Sequence, residues 1–135
     1  MKLWTIRNAQ LAAFAAQAEA QFVERMAAEL HERFPARFAS PDESLRAYVR
    51  GELQAARKFG LRTERDIRCF LRIGAPHGPG FIDRGEHAWM RALLEDAEVS
   101  DPGERVRRLL EATKRKQQIE AENARILAAF RAVET

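Results

Sequence analysis

Residues 40–66 read SPDESLRAYVRGELQAARKFGLRTERD, and this stretch holds the start, stop and restart of a helix. Ser40 is placed to cap, Pro41 fits the first helical position, and Glu43 follows three residues after the cap, the pattern of a capping box. Leu45, Tyr48, Val49, Leu53, Ala56 and Phe59 then recur at helical spacing and form one apolar face. Gly60 supplies the left-handed stop, and Leu61 falls where a Schellman turn wants an apolar contact back onto the helix. Thr63 caps the next helix, whose apolar residues are Ile67, Phe70, Leu71 and Ile73. The spacing therefore predicts helices over 41–59 and 63–73, joined by a tight glycine turn.

The same periodicity extends outward in both directions. Leu11, Phe14, Ala18, Phe22, Met26, Leu30 and Phe34 predict a first helix from about Asn8, as cap, to Phe34, where Pro35 ends it. The preceding Lys2–Ile6 segment is short enough to be extended or a helical lead-in. Residues 74–85, rich in Gly and Pro, form the one long irregular connection. A short helix follows over about Glu86–Ala97, and Asp101-Pro102-Gly103-Glu104 opens a last helix reaching Val133. The fold class is all-α: a single-domain bundle over 1–135 of about five helices, with a long C-terminal helix and no internal repeat.

Composition supports that reading and excludes several classes. The chain has 135 residues, 46% apolar and 32% charged, enough to bury one core. No apolar run approaches the roughly 20 residues that span a bilayer, so no membrane insertion is expected. The opening Met-Lys-Leu-Trp-Thr-Ile-Arg lacks a secretory pattern. Cys69 is the single cysteine, which fits a reducing compartment and a cytoplasmic location. The net charge of +3 hides alternating blocks. Residues 46–72 carry an excess of five basic groups, residues 83–104 a deficit of five, and residues 105–131 an excess of five again. Alternation of this kind suits a protein partner better than nucleic acid, which favours an unbroken basic face.

Within the last helix, Leu109, Ala112, Lys116, Ile119, Asn123, Ile126, Phe130 and Val133 follow alternating steps of three and four, a heptad seam with two polar positions. Two readings are open. The seam closes on the first helix, the commoner outcome for so short a stretch, or residues 112–133 pair with another chain, a homodimer included. In an antiparallel homodimer Lys116 would meet Glu120 or Glu122 of its neighbour.

Arg65, Arg68 and Arg72 give the third helix a basic stripe, and helices 41–59 and 63–73 invite comparison with a helix-turn-helix reader of DNA. Against this, the turn carries its own N-cap, and the helix has no Asn or Gln to read adenine. No catalytic constellation stands out, and no cofactor or metal is called for. Cys69 has no neighbouring histidine to act as base. His77, Asp83, Glu86 and His87 match no metal-ligand spacing, and Gly78-Pro79-Gly80 lacks the Lys of a phosphate loop.

The run Phe59–Asp66, with Gly78-Pro79-Gly80-Phe81, Trp89 and Asp101-Pro102-Gly103-Glu104-Arg105, resembles a group of small, largely uncharacterised helical proteins of proteobacteria. These are often encoded beside type VI secretion spike and effector genes. The resemblance runs from the first helix to Arg108 and carries no active site. It implies a non-enzymatic accessory, adaptor or immunity-type protein whose partner is a secreted effector or spike component. The partner-binding residues expected from the sequence are Arg65, Arg68, Arg72, His77, Phe81, Ile119, Ile126 and Phe130. The alternative is a small DNA-binding regulator.

Overall fold

The computed structural model describes the backbone of residues 2–134, together with the side chains of Ala13 and of residues 15–134. Among these residues there are five α-helices and no strand. The helices are α1 (Lys2–Arg33), α2 (Glu43–Lys58), α3 (Glu64–Gly74), α4 (Ala88–Leu94) and α5 (Pro102–Glu134). The chain is all-α, with a long C-terminal helix. Its internal packing groups it into two units, residues 1–81 and 82–135.

In the first unit, α1 starts well before the expected Asn8, so Lys2–Ile6 is a helical lead-in and Asn8 lies inside the helix. Phe22, Val23, Met26, Ala27 and Leu30 of α1 are buried, while Ala18 is exposed. Leu11 and Phe14, expected on the same face, lie outside the described side chains. The cap of α2 is Asp42, two residues beyond the expected Ser40: its Oδ1 accepts from the Leu45 amide at 3.0 Å. Ser40 only donates from its hydroxyl to the other Asp42 oxygen, at 3.2 Å. A carboxylate facing the amide end of the helix is the stronger acceptor, so it takes the capping position.

The stop of α2 is as expected. Gly60 has a φ of +83°, its amide donates to Arg57 O at 3.0 Å, and the Leu61 amide donates to Ala56 O at 3.2 Å. That pair of bonds is a Schellman turn, and Leu61 is buried behind it. Thr63 caps α3, accepting from the Asp66 amide at 3.2 Å. Ile67, Phe70, Leu71 and Ile73 are all buried.

In the second unit, the fourth helix is shorter than expected. A 3₁₀ turn over Gly85–His87 leads into α4, which ends at Leu94 and does not reach Ala97. Arg105 of α5 explains the stop: its guanidinium donates to Val99 O at 2.5 Å and to Leu94 O at 3.5 Å, serving carbonyls of the connecting turn. Asp101 caps the start of α5, accepting from the Gly103 amide at 3.1 Å. Helix α4 then packs along the proximal part of α5, with Met90, Leu94, Val106 and Leu109 buried. No helix among the described residues is long and apolar enough to cross a membrane.

Candidate protein-docking surface

The basic stripe of α3 is answered from α1. Arg68 Nε donates to both oxygens of Glu29, at 3.0 and 3.1 Å, and its Nη2 also reaches the same carboxylate. Arg72 Nη2 donates to Glu29 Oε1 at 2.7 Å. One turn away, Arg25 donates to both oxygens of Glu64 at 3.0 Å. The hydrogen bond from Arg68 holds the Glu29 carboxyl at about 2, well below its ordinary 4.5. Partial burial opposes that shift, and Arg72 adds to it. Two of the three expected partner-binding arginines are thus engaged inside the unit, clamping α3 to α1. Arg65 is exposed and lines a shallow groove of about 360 Å³ with Phe22, Met26 and Arg25. Glu29 was not among the expected site residues. Its signal is only an acidic side chain at the right height on a helix many residues away.

The loop after α3 is built inward. Gly78 and Gly80 have positive φ, +91° and +66°, and the Gly80 amide donates to Glu52 Oε1 of α2 at 2.9 Å. This anchors the loop on a buried carboxylate and turns Phe81 into the interior. The expectation that Phe81 meets a partner is therefore corrected: its ring is fully buried, 5.1 Å from Phe70 centroid to centroid. His77 is half-buried and stacks on the Phe81 ring at 6.1 Å. Cys69 is half-buried on α3. Asp83 pairs with Arg91 at 3.1 Å and Glu86 with Arg84 at 3.5 Å, while His87 is buried in its 3₁₀ turn. Among the described residues no group of three His, Cys, Asp or Glu side chains is arranged to hold a metal ion.

Helix α5 divides at Lys116. Up to that point its seam is covered within its own unit. Val106, Leu109 and Thr113 are buried, and the Lys116 ammonium lies 4.8 Å over the Trp89 ring of α4, a cation–π contact. Every residue from Lys114 to Glu134 is exposed. Within that bare length Ile119 is 57% exposed, Ile126 48%, Leu127 57%, Phe130 65% and Val133 84%. Of the expected partner-binding residues, Ile119, Ile126 and Phe130 thus share one open apolar stripe. Leu127, missed in the sequence because it lies one position off the seam, widens it. The Trp89 contact was also missed, since nothing local links a tryptophan on a short helix to a lysine of the next.

No protein-family model, no curated protein and no solved structure matches this chain.

Proposed function

We propose that this chain is a non-catalytic protein-binding accessory whose docking element is the distal half of α5. The observation that carries the reading is the stripe Ile119, Ile126, Leu127, Phe130 and Val133, on a stretch of α5 whose residues are all exposed over roughly six turns. A helix of that length is marginal alone in water, and its apolar face gains stability only when something dry covers it. Contiguous apolar patches of this size on a folded chain mark interaction sites.

The resemblance to helical proteins encoded near type VI secretion genes suggests the setting: a bacterial cytoplasmic adaptor or immunity-type protein acting on a secreted effector. The test is recovery of stoichiometric protein by tagged chain from the native host, beside an Ile126→Asp/Phe130→Asp variant. A partner held by the wild type and lost by the variant is expected. Equal recovery by both, or by neither, would sink the reading. A DNA-reading role for α2 and α3 would require Arg68 and Arg72 to leave Glu29 for phosphate, and no observation in the structure favours that exchange.

A further inference from the structure

We infer that the occupant of the open stripe is a second copy of this chain, paired antiparallel along residues 116–134 of α5. This rests on reading the stripe as a protein-docking element, and it names what docks there.

Orientation follows from where α4 ends. Helix α4 lies on the proximal seam as far as Lys116, whose ammonium sits on Trp89. A second α5 running parallel and in register would bring its own α4 to the stretch of seam already occupied, and would set Lys116 against Lys116. An antiparallel α5 avoids both. Its last turn arrives at the point where α4 leaves off, and the two open stripes overlap completely.

Side chains match in that arrangement. With the two-fold axis passing between Ala124 and Arg125, Ile119 faces Phe130 of the second copy and Asn123 faces Ile126 of the second copy. On one flank Glu122 lies about 3 Å along the axis from Arg125 of the second copy, within reach of its long side chain. On the other flank Glu120 lies about 3 Å along the axis from Arg131 of the second copy. Lys116, at the edge of its α4 contact, comes within about 1.5 Å along the axis of Glu134 of the second copy. Each pair occurs twice by symmetry, and the three charged pairs are all of opposite sign. This alignment replaces the Lys116 partners expected from the sequence, Glu120 and Glu122, which now find arginines.

The area also suffices. From their exposed fractions, the five apolar side chains offer on the order of 500 Å² per copy, and the flanking Glu and Arg stems bring the patch close to the ~800 Å² per partner of a standard interface.

Sedimentation of the full chain from micromolar to submillimolar concentration tests the inference. The expected mass rises from 15.4 kDa to twice that value. Ile126→Asp should hold the chain at the monomer mass while leaving its urea transition in place, because Ile126 is not part of either buried core. The charge swap E122R should weaken the dimer about tenfold, and mixing it with the R125E chain should restore pairing as a heterodimer; because Glu122 and Arg125 also lie three apart on one helix, only the mixed pair reads the contact between copies. A wild-type chain that stays monomeric overturns the proposal, as does a dimer indifferent to Ile126→Asp or to E122R. If the chain is monomeric yet the tagged protein still retains a partner through the stripe, self-pairing falls and the docking reading stands. If no stripe-dependent partner is recovered either, both fall.

Discussion

Gly51 and Gly74 are both helical, and adding one methyl group to each should move stability in opposite directions. At Gly51, on the exposed face of α2, a Cβ meets nothing within 4 Å. Replacing it with alanine removes only backbone freedom from the unfolded chain and should gain about 0.5–1 kcal/mol. At Gly74, the last residue of α3, a Cβ would run into the edge of the Phe81 ring, overlapping two of its carbons and sitting 3.1 Å from a third. That ring is fully buried and held against Phe70 and His77, at 5.1 and 6.1 Å, so it cannot swing aside freely. Overpacking of this kind costs about 1–3 kcal/mol. The helix-propensity gain at a terminal position returns less than about 1 kcal/mol, leaving a net loss of about 1–2 kcal/mol for Gly74→Ala. Urea titration followed by circular dichroism reads this as a midpoint lower by roughly 1 M at unchanged slope. Trimming the ring should relieve the clash, so Gly74→Ala/Phe81→Leu should be less destabilised than the two single changes added together. A Gly74→Ala midpoint at or above that of the wild type would refute the placement of Phe81 against α3.

Two further outcomes follow from the first unit. Glu29→Gln should lower stability at neutral pH by about 1–2 kcal/mol, since it loses charge-assisted bonds from Arg68 and Arg72 that are themselves partly solvent-exposed. Because the folded Glu29 value of about 2 lies below its ordinary 4.5, that difference is fully present above the ordinary value and shrinks as pH falls through the window between them. Urea midpoints of both chains at neutral and acid pH check this, and a gap independent of pH would contradict it. Asp42→Ala should cost about 1 kcal/mol through loss of the cap on Leu45, whereas Ser40→Ala should change little, the reverse of what a serine cap requires.

What was legible in the sequence is what short stretches of chain decide for themselves. Gly60 and Leu61 make a Schellman turn wherever a helix ends just before them, and Thr63 reaches its own backbone three residues on. Those features stood where the spacing put them. The α2 cap was displaced by two residues because two short polar side chains compete for the same amides, and a carboxylate wins over a hydroxyl. Phe81 was misjudged for a different reason. An aromatic residue in a glycine-rich loop looks exposed until one knows that Gly74 has left room for its ring and that Glu52 holds the Gly80 amide. Both partners lie far enough away in sequence that only the packed fold brings them together. Arg68 and Arg72 show the same gap: the basic stripe is plain in α3, but Glu29, on another helix, decides how much of its charge faces outward.

The seam of α5 sets the limit of such reading, because its period is written in the sequence and its covering is not. Lys116 is a polar position in an apolar repeat, and from spacing alone it serves equally as a rim residue or as a register pin. The structure gives it a definite task at a boundary. Helix α4 has only seven residues, about 10 Å of helix, and ends where Arg105 donates to the carbonyl of its last residue, Leu94. Helix α5 has 33 residues, about 50 Å. A cover that short leaves most of the repeat bare, and the cation–π contact between Lys116 and Trp89 closes its end. The length of α4 therefore determines how much of the seam is left exposed. Beyond the boundary the repeat continues through Ile119, Asn123, Ile126, Phe130 and Val133 without change of period. One unbroken heptad pattern thus runs across two surfaces, the first closed by the chain's own α4 and the second exposed.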